Sequence, residues 1–120
     1  MIKRFLQLIA KFFTWLTSDK IYDVDPDLVS KWAKDNYDEK LSDIAEKIAF
    51  AICSQTGINI SVLSKETKFI SDLAADGFDS IRFVFQIEEA FQFEIPDEDA
   101  ENISYFDQLV QYIYEKKHKS

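Results

Sequence analysis

Two glycines and two prolines in 120 residues supply too little turn chemistry for a fold of many short strands. Helices joined by few connections are expected, and the fold class reads as all-α. A single cysteine, Cys53, excludes an intrachain disulfide framework, and a single histidine, His118, leaves no cluster with zinc-ligand spacing. No metal site is expected, and a reducing, cytoplasmic setting fits. Cys53 stands among Ile48, Ala49, Ala51 and Ile52, where a small buried hydrophobe is the better reading than a nucleophile. His118, close to the C-terminus, reads as a solvated side chain. Also missing are a histidine beside a serine or cysteine nucleophile, a glycine-rich phosphate loop, and paired carboxylates other than surface acids. The chain therefore does not read as an enzyme.

Acidic residues are absent from residues 1–17, which hold Lys3, Arg4 and Lys11. The net charge of −8 therefore resolves into +3 there and −11 elsewhere. So acidic a main body argues against nucleic acid as its partner. In residues 2–16 the polar positions Lys3, Arg4, Gln7, Lys11 and Thr14 project within a sector of about 100° at helical spacing. Ile2, Phe5, Leu6, Leu8, Ile9, Phe12, Phe13, Trp15 and Leu16 cover the rest, an arc too wide for burial on one side only. The apolar members Ile2, Phe5, Leu6, Ile9, Phe12, Phe13, Trp15 and Leu16 call for a partner helix, the chain's own domain or a membrane surface. The run is too short and interrupted to span a bilayer, and no small-residue cleavage site follows it.

What remains has the length and apolar content of one folded domain. Asp25-Pro26 pairs an N-cap acid with proline at the first helical position, opening a short helix with Leu28, Val29 and Trp32 on one face and an end near Asn36. A longer helix places Leu41, Ile44, Ala45, Ile48 and Ile52 at helical spacing and ends at Gly57. After a long loop, Asp76 stands as N-cap to a helix carrying Phe78, Ile81, Val84, Phe85, Ile87 and Phe91. Pro96 opens a short acidic helical turn. Phe106, Leu109, Val110 and Ile113 mark the last helix, which runs into a basic tail.

This order of parts carries a set of residues that resembles the acyl carrier proteins. The residues are Phe69-Ile70-Ser71-Asp72-Leu73, Ala75-Asp76, Glu88-Glu89-Ala90-Phe91, Glu94-Ile95-Pro96-Asp97-Glu98 and Tyr112-Ile113, with no gap needed from Leu41 to Glu115. The resemblance implies a four-helix bundle over 40–117, preceded by the amphipathic helix 1–17 and a linker with a short helix at 18–39, and followed by a tail at 118–120. In that family a serine at the start of the second long helix bears 4'-phosphopantetheine, whose thiol carries acyl groups. Its phosphate profits from the free N–H groups and dipole of a helix N-terminus.

In the ungapped register the family's Asp-Ser-Leu becomes Asp76-Gly77-Phe78, and glycine has no hydroxyl to modify. Gly77-Phe78-Asp79-Ser80-Ile81 offers a competing attachment signature centred on Ser80, at odds with the spacing of both flanks. With Asp76 as N-cap, Ser80 would lie one turn into the helix, away from the free N–H groups. Phe78, Phe83, Phe85 and Leu109 have the bulk to fill the space that would receive an acyl chain.

Between Asp72 and Glu101 stand ten acids and one base, Arg82. The resemblance implies that Asp79, Glu88, Glu89, Glu94, Asp97 and Glu98 engage a basic partner protein. The leading expectation is a non-enzymatic binding or scaffold protein on this fold, without a cofactor. Two alternatives stand beside it: an acyl carrier pantetheinylated on Ser80 and serving fatty-acid, lipid or polyketide-type synthesis, and a peripheral membrane protein held by residues 2–16.

Overall fold

The computed structural model describes residues 22–118. The expectations for the N-terminal helix, including Ile2, Phe5, Leu6, Ile9, Phe12, Phe13, Trp15 and Leu16, lie outside the described residues.

Helix α1 spans Pro26–Asn36 and α2 spans Glu39–Thr56. Each starts at an aspartate whose carboxylate accepts a first-turn N–H. Asp25 takes that of Asp27 at 2.9 Å, and Asp38 takes that of Leu41 at 3.3 Å. Gly57 ends α2 in the left-handed region at φ 76°, its N–H donated to the Cys53 carbonyl. On α1 the buried stripe is Val29, Ala33 and then Tyr37. Leu28, expected on this face, is 54% exposed, because it lies about 100° around the axis from Val29.

Within the stretch read as a linker with a short helix, α1 and Tyr37 thus share the core of the bundle. Trp32 donates its indole N–H to the Leu63 carbonyl and meets Phe106 edge-on at 5.3 Å. Tyr37 donates its hydroxyl to the Asp107 carboxylate at 2.9 Å. Burial, with that carboxylate, pushes the Tyr37 phenol well above its ordinary pKa.

From Gly57 the chain crosses a long loop with two short 3-10 turns, Ile60–Val62 and Ala74–Asp76. An isolated antiparallel bridge, Lys68 to Tyr105, pins its middle to the start of the last helix. Helix α3 spans Ser80–Phe91, α4 Asp97–Glu101 and α5 Phe106–His118. No strand occurs among the described residues, so the all-α expectation holds. The centre of the core is built from Ile48 and Ile52 of α2, Ile87 of α3, and Phe106, Val110 and Ile113 of α5. No helix among the described residues is long and apolar enough to cross a membrane.

The start of α3 departs from expectation. Asp76 belongs to the preceding 3-10 turn, and Gly77 closes that turn at φ 81°. A left-handed residue reverses the chain and cannot continue into a right-handed helix. Phe78 and Asp79 follow before the helix begins, and the N-cap is Asp79, extended at φ −113°, ψ 107°. Its carboxylate accepts the N–H groups of Ile81 at 3.1 Å and Arg82 at 3.2 Å. Ser80 is consequently the first residue of α3 rather than one turn inside it.

Candidate functional site

Three elements converge on Ser80. From the C-terminal turn of α2, Gln55 offers its side-chain oxygen to the Asp79 N–H at 2.7 Å, fixing where α3 starts. Gln55 is itself buried, and its amide nitrogen has no hydrogen-bond partner among the described residues. Phe78 points inward to a cluster with Phe69 and Phe83, at ring separations of 6.0 and 5.1 Å, which holds the loop below the helix start. Ser80, exposed behind its capping aspartate, presents a hydroxyl at the positive end of the α3 dipole.

Beside Ser80 opens an apolar groove of about 760 Å³, between α3 and the segments carrying Phe69, Ala100, Ile103 and Leu109. Ser80, Ile70 and Ile81 contribute to it, the two isoleucines remaining 63% and 49% exposed. Its charged lining residues are Lys68, Asp97 and Glu101. Phe78, Phe83, Phe85 and Leu109, which have the bulk to fill such a space, line it, with Phe83, Phe85 and Leu109 buried in the core. Phe69, Phe78 and Phe83 pack on one another, and the volume they border is open.

The acids divide by role. Asp79 caps α3. Glu88, expected on a partner-facing surface, is 7% exposed and accepts the Ile95 N–H at 2.7 Å. The cause is the left-handed turn at Gln92, φ 60°, which folds the chain back over α3 and brings a buried N–H to the carboxylate. Glu89, Glu94 and Glu98 are exposed, and Asp97 is half-buried at the groove. Gly77 is exposed too, with nothing within 4 Å of where a Cβ would stand.

Cys53 is buried, and desolvation pushes its thiol up to about 11, so it remains protonated and inert near neutrality. His118 stacks on Tyr114 at 4.2 Å, one of its ring nitrogens lying 2.9 Å from the Tyr114 carbonyl oxygen. No cluster of metal-binding side chains occurs among the described residues. Gln55, Ile70 and Ile81 went unremarked as site residues in the sequence. Gln55 had a signal, being polar at i+3 from Ile52 and i+7 from Ile48 on the buried stripe of α2.

Such a helical bundle, with a capped serine at a helix start beside an apolar groove, has the form of a carrier domain. The family described as "Phosphopantetheine attachment site" matches residues 46–113. An acyl carrier protein from Guillardia theta is 43% identical over 74 residues, covering 62% of this chain and 91% of that one. Another, from Chlorobium phaeobacteroides, is 41% identical over 73 residues, covering 61% and 94%. The chain belongs to the acyl carrier protein family. Both Gly77 and Ser80 fall inside the matched stretch.

Proposed function

We propose that this protein is a working acyl carrier with 4'-phosphopantetheine esterified to Ser80, and that Gly77 marks a displaced, rather than a lost, attachment site. One observation carries the reading: Ser80 directly follows the N-cap of α3 and borders the apolar groove. Of the two objections to Ser80, its depth inside the helix rested on Asp76 as N-cap, whereas the cap is Asp79; the spacing of the flanks still aligns Gly77 with the family's serine. The prosthetic arm supplies a thiol on which acyl groups travel as thioesters. The chain's own contribution is to hold the Ser80 hydroxyl in solvent at the positive end of a helix dipole, which favours a phosphodiester, although the adjacent Asp79 carboxylate already takes the N–H groups of Ile81 and Arg82. The groove walls of Phe69, Phe83 and Leu109 suit an apolar acyl chain. Glu89, Glu94 and Glu98, exposed on a body of strong negative charge, suit a partner enzyme with a basic patch.

Intact-mass spectrometry after incubation with coenzyme A and a broad-specificity phosphopantetheinyl transferase tests this. Transfer forms a phosphoester at Ser80 Oγ with loss of the hydroxyl proton and releases adenosine bisphosphate. The native chain is expected to gain one phosphopantetheine and Ser80→Ala none. No gain in the native chain, with a gain in Gly77→Ser, would overturn the reading and favour a binding protein without the cofactor.

A further inference from the structure

The groove beside Ser80 is open, apolar and rimmed by exposed isoleucines, and the place where residues 1–21 join the core lies close by. Tyr22 donates its N–H to the Ser54 carbonyl at 2.8 Å. A Cβ built on Gly57 would stand 2.9 Å from the Tyr22 ring, so that ring lies directly on the end of α2. Gln55, the residue after Ser54, accepts the Asp79 N–H. Tyr22 and Ser80 are therefore joined through two adjacent residues at the end of α2.

We propose that the groove is a docking site for the chain's own residues 2–16, bound as an amphipathic helix. Residues 17–21 can span roughly 17 Å when extended, from a Tyr22 joined to the Ser80 end of the groove through Ser54 and Gln55. The chemistry matches as well. The segment's apolar arc is too wide to be satisfied by one contact, and the groove offers an open, mainly apolar lining drawn from α3 and the segments around Phe69, Ile103 and Leu109. Lys3, Arg4 and Lys11, in a segment without acids, meet a groove whose lining carries Asp97 and Glu101 against Lys68, on a body with net charge −11. Docking in cis rests on the groove alone, whether or not Ser80 is modified. If Ser80 bears an arm, the segment and an acyl chain compete for the same volume.

The test uses the full chain in a Ser80→Ala background, so that failure of pantetheinylation leaves it untouched. Ile9→Cys is combined with Ile81→Cys on the groove, and in a control with Val62→Cys, which is 64% exposed and off the groove. Cys53, buried with a raised pKa, does not compete. Under mild oxidation at high dilution, the Ile9–Ile81 pair is expected to close an intramolecular disulfide on the order of tenfold faster than the Ile9–Val62 pair. Equal rates, cross-linked dimers in place of internal closure, or capture by phosphatidylglycerol vesicles without closure would each overturn the proposal. As a check free of introduced thiols, Phe5→Glu with Phe12→Glu is expected to raise binding of an anilinonaphthalene dye several-fold, with helix content falling by no more than the released segment. Unchanged dye binding would count against the groove as the docking site.

Discussion

Replacing Asp79 by alanine removes the acceptor that satisfies two N–H groups in the first turn of α3. Loss of an N-cap acid costs about 1 kcal/mol and at most about 2, and loss of its charge from the dipole's positive end belongs to the same deficit. The Asp79 N–H and its bond to Gln55 survive in the variant, since they need no side chain. For a domain of about one hundred residues, each kcal/mol moves Tm by about 4–8 °C. Asp79→Ala should therefore melt several degrees lower than the native chain in thermal unfolding followed by far-ultraviolet circular dichroism. Asp76→Ala is the paired measurement. Asp76 lies in the 3-10 turn ahead of the helix, and its replacement should stay within about 0.5 kcal/mol of native. If Asp76→Ala were the more destabilising, α3 would begin where the ungapped register puts it. Ser80 would then be a helix-surface hydroxyl, and the argument for attachment there would collapse.

Glu88→Ala should cost about 1–3 kcal/mol in urea unfolding, because it strips the Ile95 N–H of its acceptor at a buried position. Glu88→Gln, which keeps an acceptor oxygen, should recover most of that loss, and equal losses in the two variants would refute the role given to the hydrogen bond. Gly57→Ala should be worse than Gly77→Ala: both force a left-handed alanine at about 1–2 kcal/mol, and only at Gly57 does the new Cβ also strike a ring. Cys53 gives the chain an alkaline weakness. Its thiol ionises in the unfolded state near its ordinary pKa and in the folded state only near about 11. The unfolded chain then binds fewer protons, and stability falls as pH rises through that window. Cys53→Ala should remove the part of the fall that begins near the ordinary thiol pKa, whatever its own stability at pH 7; an unchanged profile would refute the assignment.

Most element boundaries were legible because they rest on local chemistry. Asp25-Pro26 opens α1, Gly57 closes α2 and Pro96 precedes α4, each where cap or φ requirements point. The start of α3 was not, because two aspartates three residues apart, Asp76 and Asp79, each satisfy the N-cap pattern. The apolar spacing of Phe78 and Ile81 also runs through the true boundary without a break. What decides between them is the sign of φ at Gly77, and glycine takes either sign readily. Glu88 was misread for a related reason: charge argues for solvent, while its burial depends on a reversal at Gln92 that shows only in three dimensions. The groove likewise arises from how Phe69, Phe78 and Phe83 stack, which their spacing along the chain does not encode.

The glycine that removes a hydroxyl from position 77 also ends the turn before α3 and delays the helix until Ser80. Loss of one site and creation of the other are thus two results of one backbone choice, and this makes a sharp test. In Gly77→Ser with Ser80→Ala, the only hydroxyl in the motif would sit in a left-handed turn, open to solvent but three residues ahead of the helix start. A transferase that needs the serine at a helix N-terminus should leave this double variant unmodified. Modification could return only if α3 grew backward by about one turn with Asp76 as its cap, escaping the strain of about 1–2 kcal/mol that the left-handed serine carries. That escape would appear as added helical signal in circular dichroism. Full modification without added helix would break the link between helix start and attachment, and with it the reason for preferring Ser80.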